Sequence, residues 1–150
     1  MPTKAWLLAA LALFPFGPAP STPGAGPGWG SHMMEVGYRF ALAGRAAESQ
    51  NFPLADYEVD ELGESFEQVR VVPPPEDIPK GVKLDGLLDA YLRQTLPPLR
   101  KAAQKADARA FRAAYASAVG QCNGCHKAAG KPFLKVPAVP QGATFLDLKP

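Results

Sequence analysis

The sequence predicts an all-α protein: a four-helix bundle with a long proline-rich crossover between helices 2 and 3 and an extended C-terminal tail. Three observations carry that prediction. Apolar side chains recur at steps of three and four in separate stretches, and clusters of proline and glycine divide those stretches. Seventeen prolines and a single isoleucine, Ile78, leave little for a large sheet, because strands need β-branched runs free of internal proline. At 150 residues, 47% hydrophobic and 20% charged, the chain has the composition of one globular domain. Its 16 basic and 14 acidic side chains leave a formal charge of +2, too small an excess for a phosphate-binding surface, which excludes nucleic acid as a first choice of partner.

The chain opens as an export signal. Lys4 supplies the positive end, residues 5–16 an apolar run, and the residues after it the small side chains and prolines of a cleavage region. The run is too short to span a bilayer. Pro20 after Ala19 hinders cleavage there, so residues 1–21 read as a signal peptide with its processing site between residues 19 and 26. Residues 22–30 then read as a flexible Gly/Pro segment, and residues 31–130 as the folded domain.

Helix 1, residues 31–49, places Met33, Val36, Gly37, Phe40, Ala43, Gly44 and Ala47 on one side, its glycines allowing a neighbour to come close. Helix 2, residues 52–70, starts with Asn51 and Pro53 and carries Ala55, Val59, Leu62, Phe66 and Val69 as a core seam. Its other face holds Asp56, Glu58, Asp60, Glu61, Glu64 and Glu67 and reads as solvated. Pro73, Pro74, Pro75 and Pro79 make residues 71–83 a stiff, extended crossover. Helix 3, residues 84–106, turns Leu84, Leu88, Tyr91, Leu92, Leu96, Leu99 and Ala103 inward and is expected to kink at Pro97 and Pro98. Asp107 caps helix 4, whose inward seam runs through Phe111, Tyr115, Ala118, Cys122 and Cys125 until Gly130 and Pro132 end it. Residues 131–150 are left as the tail. Short joins near residues 50 and 106 make each helix pair antiparallel. Many inward positions are alanine or glycine, which fill a bundle poorly and predict an occupant other than protein.

The chain has two cysteines and two histidines, and three of the four fall within Cys122-Asn123-Gly124-Cys125-His126. C-x-x-C-H is the attachment signature of c-type haem, in which both thiols become thioethers and the histidine binds iron. On a helix Cys125 lies about 60° to one side of Cys122 and His126 about 40° to the other, so all three face one way. Three alternatives use the same residues: a C-x-x-C redox dithiol, a zinc site completed by His32, and a structural disulfide. The redox motif is expected at a helix start, zinc lacks an obvious fourth ligand beyond His32, and one helical turn is poor disulfide geometry. Export agrees with haem, which is attached covalently outside the bacterial inner membrane; the expected localisation is therefore periplasmic.

A haem motif near the end of the last helix of an exported bundle resembles the class II cytochromes c, the cytochrome c′ group and its low-spin relatives. The resemblance spans about residues 33–131. It implies one covalent haem c held by Cys122 and Cys125, with His126 as the proximal iron ligand. It also implies that the first helix supplies the distal side, where low-spin members use a methionine. Helical phase favours Met33, which aligns with Val36 and Phe40; the spacing to a following arginine in the low-spin relatives favours Met34, from which Arg39 lies five residues on. His32 ranks third. With no distal ligand, Phe40 would cap an open pocket. Arg39 and Arg45 are candidates for pairing with haem propionates. Gly130 stands where the family often has a basic residue, and the crossover and tail depart from its simplest members. The expected role is non-enzymatic: one-electron transfer between redox partner proteins, or, with an open iron, binding of small gases such as NO or CO. A peroxidase role ranks lower, His32 and Arg39 being all that helix 1 offers toward a distal pair. The acidic second helix and the basic run Arg93, Arg100, Lys101, Lys105, Arg109 and Arg112 either hold the bundle together or steer a partner. A homodimer through the first two helices, as class II bundles form, is compatible with that acidic face.

Overall fold

A computed structural model describes residues 27–142, 144 and 146–150. The expected signal peptide, residues 1–21, lies outside the described residues. Among those described the chain is all-helical, with no strand: α1 (Trp29–Glu48), α2 (Phe52–Arg70), α3 (Leu84–Ala90), a π-helical turn (Tyr91–Thr95), α4 (Leu96–Gln104) and α5 (Ala108–Ala128). The π turn joins α3 and α4 into one rod, so the arrangement is that of four helices. α1 packs on α2, α2 on α4, α4 on α5 and α5 on α1.

The two tight reversals share one construction. At the end of α1, Gln50 takes a left-handed φ of 61°, Asn51 N–H returns to the Ala46 carbonyl and Gln50 N–H to Ala47, which satisfies the last carbonyls of the helix. Asn51 then caps α2 by accepting the Leu54 N–H at 3.2 Å. At the end of α4, Ala106 has φ 51°, Asp107 N–H returns to Ala102, and the Asp107 side chain accepts the Ala110 N–H at 2.9 Å. A helix stop followed at once by an N-cap turns the chain back on itself.

The seam read for α2 is buried throughout: Ala55, Val59, Leu62 and Val69 have no exposure and Phe66 has 5%. Alanines on α1, Ala43 and Ala46, let α2 approach closely at the end of the bundle built around Phe52, Leu99 and Phe111. Gly44 does the same for α5, its Cα facing the Tyr115 ring.

Two expectations change and one is sharpened. α1 begins at Trp29, inside the stretch read as a flexible segment, because Trp29 is anchored: its indole N–H donates to the Val72 carbonyl at 2.9 Å. The irregularity expected at Pro97 and Pro98 takes the form of a π turn just before them. A proline ring clashes with the carbonyl four residues earlier, and a widened turn over Arg93 and Gln94 moves those carbonyls away. Glu58, read as part of the solvated face, is 1% exposed and bound to Arg39.

Residues 71–83 contain no helix; the crossover packs beside the end of α5, with Pro79 against Gly130. The tail runs back along the bundle, held where Arg45 donates to the Gly142 carbonyl at 2.5 Å and Asn51 Nδ2 to the Lys149 carbonyl at 3.1 Å.

Candidate functional site

At the end of the bundle away from the alanine-rich packing, the helices enclose a cavity of about 280 Å³. α1 contributes Met33, Val36, Gly37 and Phe40; α3 and the π turn contribute Leu84, Leu88 and Tyr91; α5 contributes Cys122, Gly124, Cys125 and His126. The crossover adds Pro75 and Ile78, and the tail adds Leu134 and Val136. The lining is almost wholly apolar, the environment in which a flat hydrophobic group leaves water most favourably. Its floor is aromatic, with Phe40 stacked on Tyr115 at 4.2 Å and Phe66 against Tyr91 at 4.4 Å between ring centroids. Two wall positions, Gly37 and Gly124, have open space where a Cβ would stand.

α5 positions the motif. Asp107 fixes its start, and its stop is a left-handed Gly130, φ 76°, with Lys131 N–H returning to the His126 carbonyl at 2.8 Å. Both thiols are free and both reach the cavity. Burial pushes Cys122 up to about 11 and Cys125 up as well. A redox dithiol needs the opposite, a thiolate stabilised at neutral pH. The buried Tyr91 hydroxyl lies beside Cys122, finds no well-directed hydrogen bond, and is itself pushed well up by burial.

His126 uses its two ring nitrogens differently. Nδ1 lies 2.9 Å from the Leu134 carbonyl, which can only accept, so Nδ1 carries a proton, and in the neutral ring this leaves the lone pair on Nε2, where a metal would bind. Donation to a backbone carbonyl is the outer-shell contact that fixes the orientation of a metal-binding imidazole and raises its basicity. Two thiols and one ligating nitrogen on one helical turn, facing an apolar cavity with glycine gaps in its walls, fit a covalently held haem.

The distal candidates separate. Met33 lines the cavity from α1, across from α5, whereas Met34 is 77% exposed and stands outside it. The spacing argument for Met34 therefore gives way to helical phase. His32 also lies outside the lining, so zinc completion by that residue has no support; among the described residues no three His, Cys, Asp or Glu side chains form a metal-binding group. Phe40 also lines the cavity.

Arg39 is a correction. It reaches Glu35 on its own helix at 2.6 Å and Glu58 and Glu61 on α2 at 3.2 and 3.4 Å, and it does not line the cavity, so its charge is committed to these carboxylates. Arg45 is likewise committed to the tail. Of the basic run, Arg100 on α4 pairs with Asp60 on α2, which ties part of the charge contrast to bundle packing, whereas Arg93 pairs with Asp89 within its own rod. Two contributors carried no signal in the sequence: Asn123, taken only as a spacer in the motif, and Leu134, which acts through its backbone.

Comparison with models of protein families, with curated proteins and with solved structures found no match. Among the described residues no helix is long and apolar enough to cross a membrane.

Proposed function

We propose that the chain is an exported, monohaem c-type cytochrome that passes single electrons between redox partner proteins. The observation that carries this reading is the division of labour at His126, whose Nδ1 is engaged by Leu134 while Nε2 stays free beside two cavity-facing thiols. Haem bound there would supply a one-electron iron couple. Cys122 and Cys125 would hold it covalently, His126 Nε2 would bind its iron, and Met33 is the α1 side chain in the cavity that would supply a second ligand. The aliphatic and aromatic walls exclude water, which favours an iron site whose charge changes with little solvent reorganisation.

The second reading, gas binding at a five-coordinate iron, draws on Phe40 and Gly37, which together line the α1 wall near Met33. An absorption spectrum of the purified, matured protein decides between them. A sharp low-spin reduced spectrum unmoved by carbon monoxide, turning high-spin in Met33→Ala and staying low-spin in Met34→Ala, is the expected result. A high-spin spectrum that shifts with carbon monoxide transfers the conclusion to gas binding. No haem absorbance from a host able to attach haem c overturns both.

A further inference from the structure

The tail crosses the motif and meets it at two adjoining places. Asn123, between the two cysteines, grips one tail residue by both backbone groups: its Nδ2 donates to the Val136 carbonyl at 3.0 Å and its Oδ1 accepts the Val136 N–H at 2.8 Å. A primary amide can do this because it carries a donor and an acceptor side by side, as a peptide unit does. Two residues earlier, the Leu134 carbonyl accepts the His126 Nδ1–H. Among the described residues, the side-chain hydrogen bonds to residues 133–136 come from Asn123 and His126 alone. Phe133 is 75% and Leu134 44% exposed, while the clamped Val136 is half-buried against the core.

We propose that Asn123 is a positioning residue for the iron-binding histidine: by clamping Val136 it keeps the Leu134 carbonyl against His126 Nδ1 and so selects the tautomer with a free Nε2. A neutral imidazole otherwise exchanges its proton between the two nitrogens, and the Nε2–H form cannot ligate through Nε2. The consequence for iron rests on the haem reading above; the choice of tautomer belongs to the polypeptide with or without haem. The clamp also explains how a motif at a helix end acquires a backbone acceptor from a segment outside that helix.

The test compares the full-length chain with Asn123→Ala and Asn123→Asp. Aspartate keeps the acceptor for Val136 N–H but loses the donor to its carbonyl, so its effects are expected between those of the other two. Nitrogen NMR of His126 in the haem-free chain, at a pH where the ring is neutral, should find the proton on Nδ1 in the parent and a mixture of tautomers in Asn123→Ala. Trypsin reports the clamp separately. Lys131 is protected by the following Pro132, so cleavage after Lys135 reads release of the tail and should accelerate about tenfold or more when both hydrogen bonds are lost. In the haem-bearing protein, weaker donation from Nδ1 should favour the reduced state about tenfold, a rise of about 59 mV in potential for one electron. Unchanged cleavage in Asn123→Ala overturns the clamp, and a released tail with an unchanged tautomer overturns the positioning role. Absence of haem would refute the proposed function while leaving the tautomer result intact, so the two failures are distinguishable.

Discussion

Replacing Gly44 with alanine tests the closest contact between α1 and α5. The added Cβ would stand 2.5 Å from Pro140 Cγ and 2.6 and 2.8 Å from Tyr115 Cε2 and Cζ, all well inside van der Waals separation. The Tyr115 ring cannot simply retreat, because it is stacked face to face on Phe40 with an interplanar angle of 5°. Overpacking of this kind costs about 1–3 kcal/mol, and three contacts this short argue for about 3. Alanine recovers about 1 kcal/mol of helix propensity over glycine, leaving a net loss of about 2 kcal/mol. At roughly 3–4 °C per kcal/mol for a domain of this size, Tm should fall by about 6–8 °C. Gly37→Ala, measured like Gly44→Ala on the haem-free chain, is the internal control, on the same helix but with nothing within 4 Å of the new methyl, and should gain up to about 1 kcal/mol. Urea denaturation of both variants therefore predicts a gap of about 3 kcal/mol between them. Equal stabilities would refute the close packing of α1 on α5 and with it the shape given to the cavity floor.

The remaining predictions concern charge, backbone and thiols. Burial, the largest influence, pushes the Glu58 carboxyl up while Arg39 pulls it down, so Arg39→Met should strand a buried carboxylate and cost about 3 kcal/mol near pH 7. With its pKa raised in the fold, Glu58 contributes fully below the ordinary carboxylate value and that contribution is lost as pH rises through the raised one, more steeply without Arg39. The penalty measured by urea titration should therefore shrink toward pH 4, and a pH-independent penalty would contradict the buried pairing. Ala106→Gly should stabilise by about 0.5–1 kcal/mol in thermal denaturation, because alanine at φ 51° is in a region that glycine occupies freely; a loss would mean the reversal is built differently. In the haem-free chain, iodoacetamide should modify Cys122 about a hundredfold more slowly than an ordinary thiol at pH 8, since burial holds it at about 11. Fast labelling followed by mass spectrometry would instead indicate an activated redox cysteine.

The helices were legible because their seams are local: Ala55, Val59, Leu62, Phe66 and Val69 announce a buried face by spacing alone, and all five are buried. The motif was legible for the same reason, three reactive side chains within one helical turn. What escaped depends on partners distant in the chain. Glu58 looks like its solvated neighbours until Arg39, nineteen residues earlier, is brought against it. Trp29 stands between glycines that discourage a helix, and only the Val72 carbonyl holds it in one. The choice between Met33 and Met34 needed the phase of α1, which two sequence arguments assigned differently. Leu134 acts through a carbonyl that every residue has, so no residue type could point to it.

The cavity is walled in two different ways. Its α1 and α5 sides are helices whose carbonyls and amides are bonded within the element, whereas Pro75, Ile78, Leu134 and Val136 stand on segments with few hydrogen bonds of their own. Opening energies follow such differences: helices that share a core open only with the whole domain, while thin straps open at a fraction of that cost and on shorter timescales. The strap side is therefore the side on which the cavity is expected to open while the helices stay together.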